Sequence, residues 1–459
     1  MQGSGCVKER RMQDKPTAVP DLFGATQAGK VPLKVQRRER WLWAETSVWT
    51  DRMLAALEYG VKGDVWFSLI DKVYNRQNLW SAWAKSAKNN GSAGVDGITI
   101  KRYEKDVEQN LTRLSQQLKD GSYRPKAIRR TYIPKADGKM RPLGIPTVQD
   151  RIVQGALRHV IEPIFERQFA QHSYGFRPGR GCKDALRRVD GLLRAGYRYV
   201  VDADVKSYFD TIPHDKLMSR VREHVADGRV LKLIQSFLEA KIMEGLEQWT
   251  PFAGAPQGAV LSPLLSNIYL NPLDHLMEQR GMEMVRYADD FVILCQTREE
   301  ALAALELVKA WTAQAGLTLH PEKTRIADAQ TEVFEFLGYA FKGGSRWPRE
   351  KSKKKLRESL QPYLKRTSGE SLQAIIAKIN PKLRGWFGYF KHCRRAHMSK
   401  LDSWLRARLR TILRKRHGKR GRSWGPDHHR WPNEYFHSLG LFSLERAHKL
   451  KCQSMKMAH

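Results

Sequence analysis

Two neighbouring carboxylates, Asp289 and Asp290, stand inside the stretch VRYADDFVIL, residues 285–294. Val285 and Tyr287 alternate with other residues before the pair, and Phe291-Val292-Ile293-Leu294 after it is β-branched and aromatic. The stretch therefore predicts strand, bend, strand, with Ala288-Asp289 at the bend. Aspartate is a common turn former, and an isolated Asp-Asp ordinarily does no more than solvate a tip. Chemistry needs more carboxylates, because two divalent cations held roughly 3.5–4 Å apart cannot be fixed by one turn. Asp204, where the strand-like run 197–203 ends, is the candidate partner. Asp202 shares its face by the two-residue alternation and ranks behind it. Converged in one sheet, Asp204, Asp289 and Asp290 could hold a pair of Mg²⁺ ions, hard cations that keep waters and phosphate oxygens among their ligands. Such a pair activates a hydroxyl nucleophile and stabilises a departing pyrophosphate. Spacing alone leaves a solvated strand terminus open as the reading of Asp204.

Composition narrows the partners. The 459 residues exceed one hydrophobic core, so two to four domains are expected. Lys and Arg number 81 against 48 acids, a formal charge of +33, which favours a polyanion bound in a salt-sensitive manner. No apolar run approaches the ~18 residues of a spanning helix, and neither end carries a lipidation signal, so no membrane partner is expected. The five cysteines are scattered, with no C-x-x-C pair, and the opening MQGSGCVKERR lacks a secretory apolar core. Both features point to a reducing compartment. Residues 1 to about 40 read as a basic tail with little periodicity.

Positioning elements follow. Residues 41–83 are helix-like and rich in tryptophan, KNNGSAGVDG breaks them, and another helix runs to about Lys119. Residues 123–146 read as a basic hairpin turning at Asp137-Gly138. A helix opens at Thr147 and is ended or kinked at Pro163. A second takes Ser262 as N-cap, Pro263 as its first residue and Gly281 as its stop. A third starts at the capping box Thr297–Glu300 and stops at Gly316. Strand signals fade past Trp347. From Arg394 to Arg422 there are twelve Lys or Arg against one acid, Asp402, so a boundary is expected near residue 345.

YADD (287–290), DADVKSYFD (202–210), GAPQGAVLSPLLSNIYL (254–270), HSYGFRPGRG (172–181) and FLGY (336–339) resemble the ordered blocks of reverse transcriptases. IPKADGKMRPLGIPTVQDRIVQGAL (133–157) in front and INPKLRGWFGYF (379–390) behind are similar to group II intron-encoded reverse transcriptase/maturases. The resemblance covers about residue 76 to at least residue 415. It implies an α+β multidomain protein, a right-hand polymerase with an antiparallel sheet, then an α-helical thumb. The expected parts are a basic, Trp-rich extension (1–75), fingers and palm (76–345), a thumb or maturase X domain (346–415) and a basic DNA-binding-like tail (416–459).

By the same resemblance Asp204 and Asp289 bridge two Mg²⁺ ions, Asp290 supports them, and the Val205 carbonyl completes the ligands. Lys135 and Arg141 hold the dNTP triphosphate, for which a basic hairpin supplies point charges and forked donors. Phe209 packs under the sugar and collides with a 2′-hydroxyl, while a core phenylalanine stays open as its other reading. Gln257 lies against nucleotide and template, and Lys323 falls where related polymerases carry a lysine that can protonate pyrophosphate. Arg177 either faces the template or pairs with a structural carboxylate. Arg384, Arg406, Arg408, Arg410 and Arg414 are the RNA-binding candidates, with Trp386 and Phe390 read as core. His428, His429 and His437 have no cysteine pair beside them and are not read as a metal site.

The implied function is copying of group II intron RNA into cDNA during target-primed retrohoming, together with maturase assistance to splicing. Partners would be the intron RNA, a target DNA or primer strand and dNTPs, with room for a homodimer, in a bacterial cytoplasm near the nucleoid. No HNH endonuclease block follows the thumb, which points to priming from a nick or replication fork. A non-catalytic RNA-binding maturase and a retron-like or defence-associated reverse transcriptase remain the alternatives.

Overall fold

The computed structural model describes residues 39–134 and 140–457 of the chain. It divides into two units, residues 1–42 and 43–459. Of the first, only the short stretch from Glu39 is described, where the Leu42 amide bonds the Glu39 carbonyl at 3.4 Å.

The Trp-rich segment forms three α-helices, Asp51–Tyr59, Ile70–Val73 and Arg76–Asn89: Gly60 and Gly63 adopt positive φ between the first two, and Asn75 caps the third. Two more helices, Ile100–Lys105 and Val107–Asp120, complete the α-helical wall of the fingers. Strands β1 (Ile128–Pro134) and β2 (Met140–Ile145) pair antiparallel as expected. The turn expected at Asp137-Gly138 lies outside the described residues, as does Lys135. Strands β4 (Ile242–Glu244) and β5 (Glu247–Trp249) extend this sheet in the order β2-β1-β4-β5.

The long helix Val148–Glu166 starts at its predicted cap, where Thr147 Oγ1 accepts from the Asp150 amide at 3.1 Å. Pro163 neither ends it nor leaves an orphan. The carbonyl its missing N–H would have engaged, that of His159, accepts from Trp49 Nε1 at 2.8 Å.

The palm is a second sheet, antiparallel throughout where the first is mixed (β1 and β4 run parallel), in the order β6-β7-β3-β8, built from β3 (Tyr199–Asp204), β6 (Glu283–Tyr287), β7 (Asp290–Cys295) and β8 (Arg325–Asp328). Helices Cys182–Arg194, Ser262–Gln279 and Arg298–Gln314 pack on it. Ser262 is not the cap expected of it. Leu261 holds that position, and Ser262 Oγ donates to the Pro256 carbonyl at 2.8 Å, tying the helix to the loop before it.

A third sheet, β11-β10-β9, follows: β9 (Phe334–Phe336), β10 (Tyr339–Lys342) and β11 (Ser345–Pro348). The two-residue turn Leu337-Gly338 has positive φ at both positions, the combination that matches strand twist in a tight hairpin. Helices Glu350–Leu360, Leu372–Phe390 and Arg395–Arg416 form the thumb. Their apolar faces join the palm in one core that runs from Val200 and Val292 through Phe336 and Tyr339 to Ile379, Leu409, Trp431, Phe436 and Leu444. The basic C-terminal segment is therefore packed onto the thumb. Buried Asp402 accepts from Ser443 Oγ and the amides of Leu444 and Glu445, capping the last helix, Leu444–Met457. Among the described residues no helix is long and apolar enough to cross a membrane.

Candidate active site

The register of β3 against β7 sets Asp204 directly opposite Asp290 and leaves Asp202 two residues down the same face. The β6–β7 hairpin turns through Ala288 and Asp289, as its alternation predicts, with Ala288 at φ 60°. Four carboxylates thus crowd one sheet edge, and their electrostatics show it. Burial, then the charges of Asp202, Asp289 and Asp204, push the Asp290 carboxyl up to about 7. Asp202 is pushed up to about 6, by burial first and by Asp204 among the charges. Burial also raises Asp289, with Asp204 adding to it and Arg141 and Arg286 opposing.

The tip is held from beneath by residues that sequence reasoning did not single out. Arg286 is fully buried. Its Nε donates to Asp274 Oδ1 at 2.7 Å, its Nη2 engages the other carboxylate oxygen, and its Nη1 reaches Asn267 Oδ1 at 3.0 Å and the Ala288 carbonyl at 2.9 Å. Asn267 in turn donates to the Gly175 carbonyl at 2.8 Å. Gly175 is obligatory: a Cβ there would stand 2.1 Å from the Ala288 nitrogen. The one available signal was an arginine interrupting the buried run Met284–Val285.

Lys323 pairs with Asp204, its ammonium against Oδ2. The backbone bridge between Val205 and Leu319 uses the Asp204 and Thr318 carbonyls, so the Val205 carbonyl lies outside it. Among the described residues no three acid, His or Cys side chains close around a single point. The donor set nevertheless fits a hard divalent cation. It is all oxygen, the neighbouring charges raise the proton affinity of Asp289 and Asp290, and a lysine ammonium already sits on Asp204.

Opposite the carboxylates, Arg141 is exposed on β2, close enough for its charge to be felt at Asp289. The PQG turn locks onto the fingers hairpin. Gly144 N donates to the Gln257 carbonyl at 2.6 Å, and a Cβ on Gly258, at φ 101°, would stand 2.6 Å from the Gly144 carbonyl. Phe209 is half-buried, edge-on to Phe176 with ring centroids 6.4 Å apart, and its carbonyl accepts from Ala255 N at 2.7 Å. The aromatic floor and the PQG loop are thus joined. Beside Asp290, a cleft of about 590 Å³ between the Leu337-Gly338 turn and the thumb is lined by Arg349, Lys355, Lys382, Trp386 and Tyr389.

The basic candidates divide. Arg177 is buried and forked onto Glu166 (2.7 Å), with further bonds to the Ala170 and Ser173 carbonyls, the structural alternative of its two readings. Arg410 is only 2% exposed, bonded to the Trp431 carbonyl and Asn433 Oδ1, both at 2.9 Å. Arg406 is buried beside Asp402 at 3.8 Å. Placing these two at an RNA surface is corrected: Arg406 and Arg410, four residues apart, share one face of the helix, and the C-terminal segment folds onto that face and takes up the Arg410 guanidinium. Arg414 is partly spent on Asp427 at 3.0 Å. Arg408 is half-buried and Arg384 exposed, its guanidinium over the Phe442 ring. Phe390 is core, and Trp386 packs half-buried on it at 4.6 Å.

Comparisons with known proteins agree with this geometry. Residues 133–341 match the family described as reverse transcriptase (RNA-dependent DNA polymerase), and residues 350–431 match the group II intron maturase-specific domain. Protein YkfC of Escherichia coli (strain K12) is 35% identical over 300 residues, covering 55% of this chain and 77% of that protein. The group II intron-encoded protein LtrA of Lactococcus lactis subsp. cremoris is 39% identical over 211 residues, covering 46% of this chain but 34% of LtrA. The chain thus spans about a third of the length of LtrA. A solved partial Cas6-RT-Cas1–Cas2 complex shares 26% identity over 54% of this chain and 41% of that one, at a TM-score of 0.35. With a polymerase palm, a maturase thumb and a relative matched over most of its length, the chain belongs to the group II intron reverse transcriptase/maturase family.

Proposed function

We propose that the chain is an RNA-directed DNA polymerase that copies group II intron RNA into cDNA from a target DNA primer and binds the same RNA to assist its splicing. The observation that carries this reading is the placement of Asp204 opposite Asp290, with Asp289 at the adjoining tip and within reach of the Arg141 charge on β2. RNA folding alone needs no such crowd of carboxylates.

Asp204 and Asp289, with the Val205 carbonyl and Asp290, would hold two Mg²⁺ ions. Bound there, the pair supplies the activation of a primer 3′-hydroxyl and the neutralisation of charge on the leaving pyrophosphate. Arg141 and Lys135 orient the triphosphate. The Phe209 ring closes the space that a 2′-hydroxyl needs, giving dNTP selectivity. Gln257 positions nucleotide against template. Lys323, released from Asp204, holds a proton at Nζ for a pyrophosphate oxygen. Arg349, Lys355 and Lys382 line the thumb cleft where a primer backbone would pass, and exposed Arg384 with half-buried Arg408 would meet intron RNA.

Primer extension on an RNA template with Mg²⁺, comparing wild type with Asp289→Asn and dNTPs with NTPs, tests this. Extension by the wild type with dNTPs alone, and none by a variant that still binds RNA, is expected. Tight RNA binding without extension on any template would leave only a maturase.

A further inference from the structure

The wall of the fingers contains a cavity of about 560 Å³ that shares no residue with the site described above. That volume is of the size that encloses a small ligand. Its buried wall includes Tyr103, 5% exposed, whose hydroxyl has no hydrogen-bond partner. A buried phenol without a partner is an uncompensated donor, and a ligand acceptor would relieve it.

The rim is cationic. Arg102, Arg113 and Arg124 are exposed at it, and among the described residues none pairs with a carboxylate: Arg113 reaches the Asn110 amide at 2.7 Å, and Arg124 reaches the Gly121 and Tyr123 carbonyls. Lys126 is tied to Asp96 at 3.2 Å, and Asp106 is the one acid of the lining. Guanidinium forks suit phosphate oxygens. The amides of Gln117 and Gln149, bonded to each other at 3.3 Å, add donors and acceptors able to meet a base edge, and Tyr103 and Tyr123 supply aromatic walls.

We propose that this cavity is a second nucleic-acid site, which takes one nucleoside phosphate with its phosphate at Arg102 and Arg113 and its base against Tyr103. It rests on the reading of the chain as an RNA-binding polymerase, and the ligand is either one nucleotide of a bound strand or a free nucleotide.

The test uses the full chain and two photoactivatable probes, a 4-thiouridine oligomer and 4-thiouridine 5′-monophosphate, with crosslinked peptides mapped by mass spectrometry. Crosslinks within residues 98–126 are expected. They should fall roughly tenfold in Arg102→Ala/Arg113→Ala and drop in Tyr103→Phe, a change that removes one oxygen and leaves the ring. The charge-matched control Lys101→Ala/Lys105→Ala alters exposed residues outside the cavity and should leave them in place. Crosslinking by the oligomer alone assigns a strand, and crosslinking by the monophosphate as well assigns a free nucleotide. Crosslinks in the catalytic cleft with none at 98–126, or equal loss in the control, overturn the second site and leave the polymerase reading intact. No crosslinks anywhere, with no primer extension, overturn both.

Discussion

Arg286 and Asp274 form a forked, buried ion pair directly beneath the hairpin that carries Asp289 and Asp290, and the same guanidinium holds the Ala288 carbonyl at 2.9 Å. The pair connects the helix Ser262–Gln279 to the turn that presents Asp289. Breaking a buried pair from one side typically costs about 3–5 kcal/mol, since the other charge is left stranded. Asp274→Ala is therefore expected to unfold at clearly lower urea concentration than wild type. Arg286→Lys keeps the charge but cannot fork. It should lose roughly 10–100-fold in kcat, on the scale of an outer-shell orienting contact, with RNA affinity retained. Equal kcat in the two proteins would show that the tip needs no anchor.

Gly175→Ala addresses the same tip from the other side, because the new Cβ meets the Ala288 nitrogen at 2.1 Å. Extension should be abolished, with the RNA-binding isotherm unchanged. A fully active variant would mean that the hairpin is free to move.

Phe209→Ala should admit ribonucleotides. The measurement is the ratio of kcat/KM for dNTP and NTP, expected to fall by at least about tenfold if the ring supplies ~1.4 kcal/mol or more of steric discrimination. A stability loss with an unchanged ratio would assign Phe209 to the aromatic floor it shares with Phe176 and Tyr208.

Lys323 pairs with Asp204, so on the proposed reading it would compete there with a divalent cation. Lys323→Ala should therefore reach half-maximal activity at lower Mg²⁺ while its maximal rate falls. An unchanged Mg²⁺ titration would place the lysine outside the site, and chelation by EDTA should stop extension in both proteins.

His159 predicts a pH dependence remote from catalysis. Burial, then the Lys85 ammonium 2.7 Å from Nε2, lowers it from the ordinary 6.5 to about 4. The unfolded chain thus takes up the proton first as pH falls. The stability from this neutral imidazole is complete above about pH 6.5 and is lost progressively toward pH 4. Urea midpoints at pH 7 and pH 5 should differ more for wild type than for His159→Gln; parallel shifts would refute the assignment.

On the thumb, Arg384→Ala/Arg408→Ala should flatten the salt dependence of RNA binding. Arg410→Ala should lower thermal stability and leave that slope unchanged, since its guanidinium is bonded inside. The reverse pattern would move the RNA interface to the buried face.

Local chemistry was legible without coordinates. The β6–β7 hairpin with its bend at Ala288-Asp289, the cap at Thr147, the capping box at Thr297–Glu300 and the β1–β2 hairpin follow from alternation and capping, which depend on neighbours in the chain. A strand end at Asp204 beside a hairpin tip at Asp289-Asp290 predicts that the carboxylates converge in one sheet, but only the β3–β7 register places Asp204 opposite Asp290. Three features depended on residues distant in sequence. Pro163 stays helical because Trp49, 110 residues before His159, supplies the missing donor. Arg286, on strand β6, is an anchor because Asp274 and Asn267 reach it from the helix Ser262–Gln279. Arg406 and Arg410 carry the same charge as Arg384 and Arg408, yet a helix has an inside and an outside. Which arginines face inward was decided by where the C-terminal segment folded back, a contact that periodicity within one helix does not encode.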